Sequence, residues 1–228
     1  MARWCRSLLP LALPPVLALA TLNLQLRAEA QDPTAILQSK LQAMPQQVPG
    51  WVKVADVRIS AEDGSLARAG GAWRELAEVP RLAYPLAQTA EAMDPWGWRY
   101  SDRRGAWRMH TGVDLAVDQG TPVLAALAGR VVLVETISGY GLTVLVDHGD
   151  GWQTLYAHLH GAVAVASQWL EQGEVLGTVG MTGQSSGPHL HFELRRQGSD
   201  LLALDPTPHL PPLLPPPSLP PVLATISP

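Results

Sequence analysis

The stretch Gly187-Pro188-His189-Leu190-His191-Phe192-Glu193-Leu194-Arg195 carries two histidines two residues apart. Leu190, Phe192 and Leu194 alternate with His189, His191, Glu193 and Arg195, the period of a β-strand over 189–195. Residues two apart share a strand face, so both imidazoles point away from the apolar side. Paired imidazoles above a groove suit metal binding or proton transfer. Upstream, His110-Thr111-Gly112-Val113-Asp114 sets a histidine and a carboxylate four apart, with Gly112 free to bend between them. Joined to His191, they make two imidazoles and one carboxylate. Three protein ligands plus a water is the arrangement of a catalytic zinc, whereas structural sites are closed by four protein ligands. The only cysteine is Cys5, so no thiolate competes for that role. In Leu155-Tyr156-Ala157-His158-Leu159-His160, His158 can stand beside such a metal as an unligated imidazole. His160 runs into Gly161 and is expected to be exposed.

These residues need a rigid sheet to hold them. Short apolar runs at 123–126, 129–136, 142–146 and 152–156 read as strands, and His148-Gly149-Asp150-Gly151 reads as a hairpin turn. Gly173 and Gly177 bracket another short strand. No long amphipathic helix is predicted. The expected fold class is all-β: mainly antiparallel sheets in a two-layer sandwich or partly open barrel with an active-site groove, and few short helices. Residues 31–50 carry a weak helical pattern through Ile36, Leu37, Leu41 and Met44, ended by Pro45 and Pro49. A possible strand at 52–59 and a Gly-rich stretch at 64–71 follow. Residues 31–80 are read as a short lead-in, too small for a core of its own. Residues 206–228 form a Pro-rich tail that favours extended geometry, either a flexible or semi-rigid end or a docking segment.

The 228 residues carry a net charge of −4, which excludes a polyanion-binding profile and makes nucleic acid an unexpected partner. Arg3 and Arg6, an apolar run over 8–26 and Ala28-Glu29-Ala30 read as a signal peptide over 1–30, with Gln31 as the mature N-terminus. Pro10, Pro14 and Pro15 interrupt the run and weaken it as a membrane span. The alternative is an uncleaved anchor, the one case in which membrane association is expected. Cys5 precedes the apolar run, a poor place for a lipoprotein anchor. The mature chain would hold no cysteine and no disulfide. A lipoyl- or biotin-carrier barrel over 121–158 would need an acceptor lysine, but the only lysines are Lys40 and Lys53.

Taken together, the motifs resemble the M23 family, zinc endopeptidases of the lysostaphin and LytM type that cut peptidoglycan peptides. The resemblance spans roughly residues 96–195. It runs through Gly97-Trp98-Arg99, His110-Thr-Gly-Val-Asp114, Gly120-Thr-Pro-Val123, Gly129-Arg-Val131, Tyr156-Ala-His-Leu159, Gly180-Met-Thr-Gly183 and Gly187-Pro-His-Leu-His191, in family order. It implies an M23 domain over 81–205 with one Zn2+ held by His110, Asp114 and His191. It implies His158 and His189 as the catalytic histidines, with their division of labour open. It also implies peptidoglycan peptides as substrate; the signal segment points to an exported enzyme in the periplasm or extracellular envelope of a bacterium, and a monomer is expected although the sequence does not determine the oligomeric state. Degenerate relatives have lost ligands and activate other wall enzymes. A non-catalytic module that binds the wall or activates an amidase is therefore the alternative, and the intact set of five residues favours the enzyme. Which peptide bond is cut, and whether 31–80 inhibits the site, stay open.

Other polar and aromatic residues carry two readings. Trp96, Trp98 and Trp107 either line the groove or cap a sheet edge. Arg99, Arg103, Arg104 and Arg108 are either a solvated loop or an attractor for acidic wall peptides. His148 is expected to be structural, His209 incidental, and Asp118 and Asp147 turn residues.

Overall fold

The computed structural model describes residues 33–54, 79–102 and 104–211. The signal segment, most of the 52–59 run, the Gly-rich stretch, Arg103 and residues 212–228 of the tail lie outside the described residues. The chain divides into two units, Met1–Ala43 and Met44–Pro228. The first contributes α1 (Pro33–Gln42), ending before Pro45. Proline suits a first helical turn and Lys40 suits the last. None of the residues of α1 is buried, and Leu37 and Leu41 face solvent. No helix among the described residues is long and apolar enough to cross a membrane.

The second unit is built from antiparallel strands, as expected for an all-β, incompletely closed architecture. Among the described residues, the main sheet has 11 strands. Its backbone is the meander β7 (Gly129–Ile137), β8 (Gly141–Asp147) and β9 (Trp152–Ala162), continued by β12 (His189–Gln197). The predicted turn joins β8 to β9: the His148 N–H donates to the Trp152 carbonyl, the Trp152 N–H donates to the Gly149 carbonyl, and Gly149, Asp150 and Gly151 take positive φ. Further strands branch from this spine. β5 (Val113–Ala116) and β13 (Leu201–Leu204) share one edge of β12, and β2 (Ala92–Asp94) pairs with β5. β11 (Val175–Val179) pairs with the end of β9 and with β6 (Pro122–Leu124), while β10 (Trp169–Leu170) borders β7. β1 (Trp51–Lys53) pairs with β13, so this stretch of the predicted lead-in is part of the sheet. β3 (Gly97–Ser101) and β4 (Ala106–His110) make a separate hairpin.

Alternation explains what packs inside. Leu190, Phe192 and Leu194 of β12 are fully buried with Val113 and Leu115 of β5, Val144 and Val146 of β8, and Tyr156 and Leu159 of β9. The Tyr156 ring tilts against Phe192 at 5.4 Å between centroids, and its hydroxyl accepts the Ala126 N–H at 2.7 Å. A smaller cluster joins Val52, Trp96, Trp98, Met109 and Ala203. The indole N–H groups of Trp96 and Trp98 donate to the carbonyls of Pro49 and Gln47 at 2.7 and 3.0 Å. Of the two readings for these tryptophans, sheet capping is the one realised.

β2, β3, β4 and β13 were not anticipated. β3 and β4 carry Arg99, Arg108 and His110 between aromatics, so they lack a clean apolar period, whereas β1 overlaps the start of the strand expected over 52–59. Glycine is required at 112 by a close approach: a Cβ there would stand 2.3 Å from the Phe192 carbonyl oxygen. Gly112→Ala must therefore push β5 from β12. The expected cost is about 1–3 kcal/mol, at roughly 2–4 °C of Tm per kcal/mol. Thermal unfolding of the variant checks this, and a wild-type Tm would contradict it.

Candidate active site

β5 and β12 run antiparallel in a register that sets Asp114 directly opposite His191 and Ala116 opposite His189. β4 ends on His110, and the tight passage through Gly112 into β5 brings that ring back over Asp114. Three ligand-type atoms converge. His110 Nε2 lies 3.0 Å from Asp114 Oδ1 and 3.1 Å from His191 Nδ1, and the latter two are 2.7 Å apart. His110, Asp114 and His191 are the one such cluster among the described residues. Ligands about a tetrahedral zinc at ~2.0–2.1 Å lie roughly 3.3 Å from one another, so this donor set fits one small divalent cation. Two nitrogens and a carboxylate oxygen at such distances need a proton or a cation between them. Burial opposes charge on Asp114, but its hydrogen bonds to His110 and His191 hold the carboxyl well below the usual range. Burial likewise opposes charge on His191, yet Asp114 and Glu193 push it up to about 9. The same negative field favours a metal ion.

The rings beside the cluster are oriented by carbonyl oxygens. His158 Nδ1 is 2.7 Å from the Thr182 carbonyl, and His189 Nδ1 is 2.8 Å from the Gly187 carbonyl. A carbonyl only accepts, so each ring carries a proton on Nδ1, and the neutral ring has its lone pair on Nε2. The two rings stand 4.7 Å apart, and His158 is 5.8 Å from His191. Burial pulls His158 down to about 4, against the Thr182 carbonyl. It is thus neutral at pH 7 and able to accept a proton. His158 also takes φ of 60°, a left-handed conformation seldom used by residues other than glycine. All five residues border one groove of about 480 Å3, whose walls also carry Tyr140, Arg108 and Gln184.

The shell behind His191 was not anticipated. Its Nε2 lies 2.9 Å from Glu193 Oε1, and Glu193 is completely buried. Thr111 and Tyr140 donate hydroxyl hydrogen bonds to Oε1 at 2.7 and 2.8 Å, and Arg195 Nε donates to Oε2 at 2.6 Å. Burial would raise the Glu193 carboxyl, but Arg195 and His191 hold it far below its usual range. A carboxylate on the far nitrogen fixes which imidazole nitrogen faces the ligand cluster, here Nδ1. The strand alternation already placed Glu193 and Arg195 on the histidine face, but not that the face is roofed. His110 has its own support, Nδ1 lying 3.0 Å from the Pro95 carbonyl.

Arg99 is held within the protein: it pairs with Asp94, reaches Asp114 Oδ2 at 3.3 Å, and donates to the Pro95 carbonyl at 2.8 Å. Arg104 sits in an exposed turn, leaving Arg108 as the described member of the basic run other than Arg99 that borders the groove. Among the described residues, no tryptophan lines the groove. His148 is structural as expected, its nitrogens contacting the Ala128 carbonyl at 2.9 Å and Thr154 Oγ1 at 2.7 Å. His160 is exposed, and Asp147 accepts the Gly149 N–H in the turn. His209 falls on a 3-10 turn, Thr207–His209.

Replacing Glu193 by leucine strands Arg195, itself buried, without its counter-ion. Losing one partner of a buried pair costs about 3–5 kcal/mol. Denaturant unfolding should show that loss in Glu193→Leu, and an unchanged midpoint would show that the pair contributes nothing.

With the geometry described, the chain can be set beside known proteins. The family model for Peptidase family M23 matches residues 108–203, which include His110, Asp114 and His191 of the cluster and the neighbouring His158 and His189. The chain is 43% identical over 129 residues to the DD-carboxypeptidase/endopeptidase Mpg of Neisseria meningitidis serogroup B, over 55% of this chain and 30% of that protein. It is 36% identical over 95 residues to the peptidoglycan DD-endopeptidase ShyA of Vibrio cholerae, over 42% of this chain and 22% of that one. It is 35% identical over 112 residues to the murein hydrolase activator EnvC of Escherichia coli, over 49% and 26%. The chain thus spans less than a third of the length of each of these curated relatives. Residues 108–203 of this chain match a Peptidase family M23 domain.

Proposed function

We propose that the protein is an exported zinc-dependent endopeptidase that hydrolyses peptide bonds in peptidoglycan stem or cross-link peptides. The observation that carries this reading is the completeness of the site. The His110, Asp114 and His191 atoms converge within hydrogen-bonding distance, and His158 and His189 border the same groove. Zinc bound there would supply Lewis acidity toward water and toward the scissile carbonyl. His158 and His189 then handle protons. Each donates Nδ1–H to a backbone carbonyl, so each has Nε2 free to take a proton from the attacking water and return it to the leaving amine. A protonated ring can equally donate to the developing oxyanion. Neither a serine nor a cysteine is assigned as nucleophile, so no acyl-enzyme is expected.

The second reading is a non-catalytic module that activates a wall amidase. Its support is the similarity to EnvC, whose name is that of an activator. The intact ligand and histidine set supports the enzyme. The domain is assigned to residues 81–205, and the leader to residues 1–30, cleaved before Gln31. N-terminal sequencing of the protein from its host should find Gln31, and a retained Met1 in a cytosolic fraction would refute export.

Incubation of the protein with purified peptidoglycan should release fragments with new amino and carboxyl ends and intact sugar chains. A chelator should abolish this and zinc should restore it. His191→Ala should lose both zinc and activity. His158→Ala should keep its zinc and lose ~10²–10⁴-fold in rate, the usual worth of a general acid–base group. Equal zinc loss in the two variants would overturn the role given to His158. A zinc-loaded protein inert on walls of several cross-link types would favour the activator.

A further inference from the structure

The ladder between β8 and β9 is broken where it reaches the active site. Leu142 pairs with Leu159, but the next partners are Val144 and Tyr156. Thr143 therefore faces two residues of β9, Ala157 and His158, which is a bulge. The extra residue is what turns the His158 side chain into the groove, at φ of 60°. The bulge leaves ladder groups to be satisfied. The His158 N–H finds the Tyr140 carbonyl at 2.8 Å. The Thr182 hydroxyl fills the remaining gap: it accepts the Leu142 N–H at 2.9 Å and donates to the Leu159 carbonyl at 2.9 Å. One side-chain oxygen thus spans the two register partners at the mouth of the bulge. The carbonyl of the same residue receives the His158 Nδ1–H. The 180–184 turn is seated tightly enough to transmit this. Gln184 donates its N–H to the Gly139 carbonyl at 2.8 Å, and a Cβ at Gly141 would stand 2.4 Å from Thr182 Oγ1.

We propose that Thr182 is a positioning residue for His158: its hydroxyl, pinned between Leu142 and Leu159, holds the Thr182 carbonyl where it fixes the ring orientation and keeps the proton on Nδ1. The inference rests on the catalytic role given to His158 above. An unpinned carbonyl lets the ring rotate or change tautomer. Nε2 then no longer faces the groove as an acceptor, while the ligands His110, Asp114 and His191 belong to other strands and are untouched.

The test uses the full chain with Thr182→Val, Thr182→Ser and His158→Ala. Each is assayed for zinc content, for kcat and KM on a purified cross-linked muropeptide dimer, and for the His158 tautomer by 15N imidazole NMR. Thr182→Val should lose kcat by ~10–10²-fold, the scale of a displaced catalytic group, with KM and zinc content unchanged. Thr182→Ser keeps the hydroxyl and should restore kcat and the Nδ1–H signature, whereas Thr182→Val should lose that signature. A structural role alone would not separate kcat from KM or respond to serine. Wild-type kcat in Thr182→Val beside an inactive His158→Ala would overturn the inference while leaving the role of His158 intact. An active His158→Ala would instead overturn that role. The tautomer, read without turnover, then decides the positioning claim: an Nδ1–H signature persisting in Thr182→Val refutes it. If the valine variant does not fold, Thr182→Ala removes the same hydroxyl and carries the same readouts.

Discussion

The pairing of β5 with β12 is the constraint on which the site depends. It joins a carboxylate and an imidazole as direct cross-strand neighbours, Asp114 against His191, at a 2.7 Å contact. The strands can approach this closely because residue 112 has no side chain to meet the Phe192 carbonyl. On the opposite face, Val113 and Leu115 interlock with Leu190 and Phe192 in the core. The apolar side of two strands thus holds the polar side in register. A slip of one residue would turn every ligand inward and every core side chain outward.

Charge accumulates around His191 and is balanced locally. The ring lies between Asp114 and Glu193, and Glu193 lies against Arg195. Tyr140 and Thr111 complete the bonding of Glu193, and burial together with Glu193 pushes the Tyr140 phenol up to about 12. A carboxylate with no exposed surface is tolerable only when its lone pairs are met in this way. The result is a preformed polar wall behind His191, in contrast to the groove in front of it. Such preorganisation is what keeps a metal-binding imidazole in one tautomer and one orientation.

The side of the groove to which proton handling is assigned under the proposed function is built differently, from turns and a bulge. His158 and His189 are each aimed by a single backbone carbonyl, Thr182 and Gly187, supplied by the loop between β11 and β12. Candidate ligands on paired strands and candidate acid–base groups steered by a neighbouring loop suit the two tasks proposed for them. The first requires fixed distances, and the second requires an open face toward a peptide in the groove.

Much of this was legible in the amino-acid order because it is local. The alternation at 189–195 gives β12, its buried face and the common face of His189 and His191. The glycine-marked turn at 148–151 gives the β8–β9 hairpin. The spacing His110 to Asp114 across Gly112 gives the bend that carries two ligands. What the order of residues could not supply depends on partners far apart in the chain. Glu193 shares the parity of His191, but whether that face is wet or roofed depends on Thr111, Tyr140 and Arg195 closing over it. Trp96 and Trp98 read equally as groove or edge until Gln47 and Pro49 present carbonyls to their indoles. Thr182 stands 24 residues from His158, and its hydroxyl matters only because a bulge opens a gap in the ladder beside it. Periodicity reports which side of a strand a residue occupies, so sequence alone determined the fold class and the candidate ligands. Which donors and acceptors meet across strands depends on register and burial, and those were decided by the tertiary structure alone.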